Sequence, residues 1–392
     1  DEAGIGFEGE YNAGIEPLLE GLLLPPDGVP MERRVSPVLL RRLEVLWQKK
    51  DRVLHLDREL LEDLRILNPL PLPNALAAMG VAFRGATGEL GFILNSVIGP
   101  SGVNLAARFC HADADLAAWV AAHVREEDAR LPGKAVFAEI AHLPVGRVGN
   151  VVSRPVLRAF EIPFLATPGV PEERQIPPSD LLVSIREDRI VLRSRRLDCE
   201  VLPRLTSAHN FASDRSLKPY KFLCLLQNQG VSSDLAWDWG RLDEAAFLPR
   251  VVSDRIVLSL ARWRVVGTEA WTRAQVETWR VESAVPRCVF VAGGDHRLLI
   301  DLDSALGIEV LLDHLHHHVE TVLVEMFPPP EGLLAHGPEG RFVHELVVPF
   351  VRTNAPVAVE PAARRGPAPP ASSYSPGSEW LYAKLYCSPS HA

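Results

Sequence analysis

Cysteine is scarce in this chain, and the familiar signatures of covalent catalysis are missing. Five cysteines occur in 392 residues (Cys110, Cys199, Cys224, Cys288, Cys387), an odd number, widely spaced and without a CxxC pair. That argues against a disulfide framework and against a cysteine zinc site, and makes a reducing cytoplasm the expected compartment. No GxSxG elbow, no HExxH and no cysteine–histidine pair in a recognisable setting occurs, and Gly99 and Gly102 match neither a phosphate loop nor a dinucleotide fingerprint. No apolar run reaches the ~18 residues of a membrane span. The opening DEAGIGFEGEYNAG has no basic n-region. With no initiating methionine and an ending at SPSHA, a piece of a longer polypeptide is expected.

What is present is enough to build a core. The chain is 47% hydrophobic and 23% charged, which excludes global disorder, and a prior of one domain per ~150 residues gives two to three domains. The net charge of −9 argues against non-specific coating of nucleic acid but permits a local basic patch. Arginine far outnumbers lysine. That suits planar contacts to carboxylate or phosphate, and it also follows from a GC-rich genome.

Periodicity gives a mixed set of elements. Ser36 to about Leu67 has apolar residues at three- and four-residue steps and predicts one or two helices. Met79–Pro100 predicts a hairpin around GATG, Ala112–Leu131 a helix with an acidic start, and Lys134–Pro144 a buried strand. A second hairpin is expected over Asp180–Arg196, and a helix in SLKPYKFLCLLQNQG ending at Gly230. WDWG and RVVSDRIVLSLARWRV are read as strands, TRAQVETWRVESA as a helix and Cys288–Asp303 as a third hairpin. A helix from Ser304 to about Met326, a loop over Pro328–Gly340 and a strand over Arg341–Val351 follow. The Pro/Ala/Ser-rich stretch 356–378 reads as a linker. Hairpins and helices without regular βα alternation predict an α+β fold.

Several clusters invite chemistry. PVGRVGNVVSRPVLRAFEIP spaces Arg147, Asn150, Arg154 and Arg158 through an otherwise core-like segment that supplies a single carboxylate, Glu161. A buried arginine needs a carboxylate partner, so some of these cations are expected to face a cleft; the other reading is that they brace loops. GVNLAARFCHADAD places Arg108, His111, Asp113 and Asp115 ahead of a helix, which suits an anion site as well as a capped helix with a solvated start. Arg186, Arg189, Arg193, Arg195, Arg196 and Arg204 form the best basic patch of the chain. On a hairpin, Arg189, Arg193 and Arg195 would share a face, to grip phosphates or simply to be solvated. His314, His317 and His318 lie three or four apart on one predicted helix. With HExxH absent, no metal is expected there.

Taken in order, ARFCH, RVGNVVSRPVLR, FEIP, IPPSDLLVS, LRSRR and LTSAHN form a long collinear set that resembles the lantibiotic dehydratases, the LanB family. The resemblance covers roughly residues 35–300, and WLYAKLYC near the end is similar to the start of the family's elimination domain. It implies a fragment of a larger multidomain enzyme: residues 1–355 as the C-terminal part of a tRNA-dependent glutamylation domain, 356–378 as the linker, and 379–392 as the start of the elimination domain. Such enzymes move glutamate from glutamyl-tRNA onto Ser/Thr side chains of a ribosomally made precursor peptide, then eliminate it to leave dehydroalanine or dehydrobutyrine.

The resemblance implies no cofactor beyond glutamyl-tRNA as co-substrate, and as partners the precursor peptide, the rest of the dehydratase, a cyclase and a homodimer mate. It implies catalytic roles for Arg147, Asn150 and Arg154, substrate contacts for Arg108, His111, Arg158 and Glu161, and tRNA contacts for Arg189, Arg193, Arg195 and Arg196. The leader-peptide-binding part and most of the elimination domain are not in these residues, so the chain alone is not expected to complete dehydration. Two alternatives stay open: a peptide aminoacyl-tRNA ligase that forms an amide, and a catalytically silent scaffold that binds peptide or tRNA.

Overall fold

The computed structural model describes residues 36–65, 70–131, 134–142, 149–186, 189–211, 217–232, 234–266, 271–293 and 296–352. Arg147, the 356–378 stretch and WLYAKLYC lie outside the described residues.

Helix α1 (Pro37–Lys49) begins where the sequence places its start. Ser36 accepts a hydrogen bond from the Leu39 amide, Pro37 occupies the first turn, and Leu39 and Leu43 are buried on one face. A short strand β1 (Val53–His55) separates it from α2 (Arg58–Asp63), which Asp57 caps. VLH is too short to show a period of its own; its partner is a strand nearly two hundred residues downstream, so the expected helical run is interrupted. The first hairpin forms as expected from β2 (Ala75–Arg84) and β3 (Leu90–Ile98), paired from Ala77↔Ile98 to Arg84↔Leu90. Its turn uses Gly88 at φ +91°, a conformation glycine adopts without strain.

The central unit holds the candidate site. Helix α3 (Ala114–Asp128) is capped by Asp113, whose carboxylate accepts from the Leu116 amide at 2.8 Å, and Val120 and Val124 are fully buried. Strand β4 (Ala135–Ala141), the short helix α4 (Gly149–Val152) and strand β5 (Phe160–Pro163) follow. Strands β6 (Leu181–Arg186) and β7 (Arg189–Ser194) make the expected second hairpin, then come β8 (Cys199–Arg204) and helix α5 (Lys218–Leu226). The sheet order is β5-β4-β8-β7-β6. Strands β5, β4 and β8 run parallel, so their carboxyl ends meet at one edge. Ile140, Ile162, Leu192 and Val201 pack beneath α5 residues Tyr220, Phe222 and Leu223.

The remaining chain contributes β9 (Asp234–Leu235), β10 (Phe247–Leu248), β11 (Arg250–Ser253), β12 (Ile256–Ser259), β13 (Arg262–Val266), α6 (Arg273–Glu282), β14 (Cys288–Gly293), β15 (His296–Asp301), α7 (Ala305–His317), β16 (Glu320–Glu325), β17 (Ala335–Gly337), β18 (Gly340–Phe342) and β19 (Glu345–Val351). One sheet runs β1-β11-β12-β3-β2-β19, with β9 beside β3; another runs β10-β13-β16-β14-β15. The fold is α+β.

Four expectations need correction. The predicted helix from Ser304 stops at His317, because ETVLVE alternates: Thr321, Leu323 and Glu325 are buried and β16 pairs with β13 and β14. WDWG is irregular and is followed by a short 3-10 turn, Gly240–Glu244. The Pro328–Gly340 loop contains β17, which pairs with β18. The last strand starts at Glu345, after that small hairpin, rather than at Arg341.

Candidate functional site

Carboxylates supplied by distant elements decide the fate of the arginine-rich segment. Glu127 and Asp128 end α3, and Glu139 interrupts the apolar run of β4. Arg158 enters among them: it pairs with Glu127 at 2.5 Å and with Asp128, and its Nε stands 3.5 Å from Glu139. Glu127 also accepts from the Ser101 hydroxyl and the Gly102 amide, each at 2.9 Å. Burial alone would raise the Glu127 pKa, but His123, Arg158 and the Gly102 amide together hold it down to about 2. Arg154 lies with its Nε 3.1 Å from Glu139 and Nη1 3.8 Å from Glu161, and donates to the Ile140 carbonyl at 3.2 Å. Glu139 further accepts from the Thr206 amide and hydroxyl at 2.6 Å, and Glu161 from the Gly169 amide at 2.6 Å.

This corrects the argument from local composition. The segment itself supplies only Glu161, yet the fold brings three more carboxylates to it. The Arg158 side chain is 0% exposed and Glu161 is 3% exposed. Both side chains are enclosed in this fold and brace α3, β4 and β5. Asn150 sits in α4.

At the carboxyl ends of the parallel strands lies a polar aromatic cluster that the sequence did not announce. The His142 ring, just past β4, donates through Nδ1 to the Phe164 carbonyl at 2.8 Å, which fixes its tautomer. It lies 4.3 Å from the Tyr220 ring, and the Tyr220 hydroxyl bonds His209 Nδ1 at 2.9 Å. Burial lowers the pKa of both imidazoles and raises that of the Tyr220 hydroxyl. The cluster is therefore neutral near pH 7. The chain leaves β4 here, at the sheet edge where parallel strands commonly hold ligands.

The basic hairpin forms a groove of about 370 Å³ lined by Lys134, Arg186, Arg189, Arg193, Asp198 and Glu200. Arg189 and Arg193 share a strand face, as the alternation predicts. Each has an acidic neighbour: Arg189 donates to Glu200 at 3.0 Å, and Arg193 pairs with Asp198. Arg195 does not join that face, because β7 ends at Ser194 and Arg195 begins the turn to β8. Arg196 points elsewhere too: its guanidinium donates to the Glu173 and Gln175 carbonyls at 3.0 and 2.8 Å, fastening a loop.

The other two clusters resolve more simply. Asp113 fills the N-terminus of α3 with its own carboxylate, so the capped-helix reading of this stretch accounts for it; Arg108 lies over the Phe109 ring at 4.6 Å and His111 is exposed. His314 and His318 stack at 4.0 Å, and among the described residues no group of three or more His, Cys, Asp or Glu is placed to hold a metal ion.

A family model described as "Lantibiotic dehydratase, N terminus" matches residues 1–311. The chain belongs to this family. It is 24% identical over 319 residues to the nisin biosynthesis protein NisB of Lactococcus lactis subsp. lactis, covering 76% of this chain and 30% of NisB. To the subtilin biosynthesis protein SpaB of Bacillus subtilis it is 21% identical over 263 residues, 62% of this chain and 25% of SpaB. Among solved structures it is similar to the tRNA-dependent lantibiotic dehydratase MibB of Microbispora sp. 107891, with TM-score 0.70 and 26% identity over 84% of this chain and 33% of MibB. The TbtB glutamylation domain from thiomuracin biosynthesis shares the fold at TM-score 0.58 and 20% identity, over 84% of this chain and 42% of that domain. The chain thus spans about a third of NisB and of MibB.

Sequence reasoning missed Glu127, Glu139, His142, His209 and Tyr220, and named Arg204 only as part of the basic patch. One signal was available: Glu139 is a lone carboxylate in the buried strand AVFAEIA, and a charge there requires partners.

Proposed function

We propose that this chain is part of a dehydratase that transfers glutamate from glutamyl-tRNA to Ser/Thr side chains of a ribosomally made precursor peptide, with glutamate elimination following. The observation that carries the reading is the likeness to MibB, a tRNA-dependent dehydratase, over 84% of this chain at TM-score 0.70. The Lys134–Arg186–Arg189–Arg193 groove supports it by offering cations to an RNA backbone. In this reading residues 1–355 belong to the glutamylation domain, 356–378 form a linker and 379–392 begin the elimination domain.

Transesterification needs a polarised carbonyl and aligned reactants rather than an enzyme nucleophile. In this reading Arg147 and Asn150 supply donors toward the glutamyl ester, while Arg154 positions the segment through Glu139 and Glu161. The precursor peptide, glutamyl-tRNA and the remaining dehydratase segments are the partners. The test is intact-mass analysis of precursor peptide after incubation with the dehydratase containing this chain. Glutamyl adducts should form with glutamyl-tRNA and be absent with free glutamate and ATP. Adducts formed equally well from free glutamate and ATP would overturn the reading.

A further inference from the structure

Among the described residues Arg204, at the end of β8, has no carboxylate in ion-pair contact. Every acidic group around it is committed elsewhere: Glu127 and Asp128 to Arg158, Glu139 to Arg154, Arg158 and Thr206, and Glu200 to Arg189. The Arg204 guanidinium donates from Nη1 to the Pro203 carbonyl at 2.9 Å, lies over the Phe137 ring at 4.1 Å, and its enclosed Nε has no partner among the described residues. Burial, and then the neighbouring Arg158 charge, hold its pKa down to about 9. Glu127, Asp128 and Glu139 attract it only at longer range; a buried cation without a direct partner is costly, and an oxyanion alongside would relieve it.

The space for one exists. Arg204 lines a cavity of about 290 Å³ that also receives Arg189, Arg352, Asn74, Gln227 and a rim of prolines. Arg189 and Glu200 line this cavity and the basic groove alike. The two are therefore neighbours across one ion pair, and the cationic surface continues from Lys134 and Arg193 to Arg204 and Arg352.

We propose that this cavity is a phosphate-binding site in which Arg204 and Arg352 supply the charge. Its phosphate comes either from an RNA backbone laid along the adjoining groove or from a free phosphomonoester. Occupancy by RNA rests on the glutamyl-tRNA reading; the site itself does not.

The experiment is equilibrium dialysis of the 392-residue chain against radiolabelled inorganic phosphate at low ionic strength. Wild type should bind saturably. Arg204→Met, which keeps the bulk beside Phe137, and Arg352→Ala should each weaken binding about tenfold or more, the loss of one charge-assisted contact. Arg273→Ala, on exposed helix α6, should not. Melting temperatures confirm that each variant is folded. No saturable binding by wild type, or undiminished binding by both folded variants, overturns the proposal. Deacylated tRNA then identifies the source: weaker tRNA binding by Arg204→Met assigns the site to an RNA phosphate, unchanged binding to a free phosphomonoester, and the site stands in both cases. Absence of glutamyl transfer with phosphate binding intact would count against the transferase reading alone.

Discussion

Arg158 and Glu127 form an ion pair closed to water: Nη2 and Oε2 stand 2.5 Å apart, with the side chains 0% and 3% exposed. The pair joins the end of α3 to the segment before β5, and Glu139 extends it to β4. Removing one partner strands the other charge, which costs about 3–5 kcal/mol. Glu127→Gln should therefore lower the urea-unfolding free energy by that order. A loss under about 1 kcal/mol would show that water reaches the pair.

The same carboxylate predicts an acid dependence. Glu127 is held down to about 2 in the fold, below the 4.5 of an ordinary glutamate. A depressed carboxylate contributes stability that is present above the unfolded pKa and is lost as pH falls toward the folded one. The stability gap between wild type and Glu127→Gln should be full at pH 6 and shrink between about 4.5 and 2. A gap that stays constant through this window would contradict the assignment.

Arg154 and Arg147 are expected to part company despite lying in one motif. Arg154 touches Glu139, and Glu161 lies 3.8 Å from it. Arg154→Ala should lower the melting temperature as well as the rate. Arg147→Ala should keep the melting temperature and slow glutamyl transfer at saturating glutamyl-tRNA by about 10²–10³, the cost of one oxyanion donor. Equal thermal losses in the two variants would remove the distinction.

How far the sequence could be read depended on the distance over which each feature is determined. The caps at Ser36 and Asp113, the hairpin around Gly88 and the alternation of Arg189 and Arg193 are local, and they appear as expected. The pairing of β1 with β11 and the enclosure of Arg158 are not local. They depend on carboxylates and strands contributed from far along the chain. A segment with one glutamate among three arginines looks underpaired until α3 and β4 are folded against it. The helix expected beyond His317 failed for a related reason: Glu325 reads as polar, but in the fold it is a buried partner of Arg250.

The thiols should be inert in the native state. Cys110 and Cys224 are buried, and burial raises the pKa of both, so little thiolate is available. Iodoacetamide at pH 8 followed by peptide mass mapping should leave both unmodified in the folded chain. Labelling of Cys224 at the rate of an unfolded control would refute this.

The groove arginine gives a quantitative nucleic-acid prediction. Arg193→Ala removes one cation from the Lys134–Arg186–Arg189 surface. It should weaken tRNA binding and lower the slope of log affinity against log salt by about one. Wild-type affinity and slope in this variant would mark the hairpin as a solvated face.

The most direct test of the account follows the acyl group itself. Glutamyl-tRNA carrying radiolabelled glutamate is mixed with precursor peptide and the dehydratase containing this chain, and label is counted on the peptide within a single turnover. The account predicts base-labile label on the peptide, matched by deacylated tRNA and absent from a peptide whose Ser and Thr are replaced by Ala. Label that never leaves the tRNA, or that appears equally on the Ser/Thr-free peptide, would contradict it.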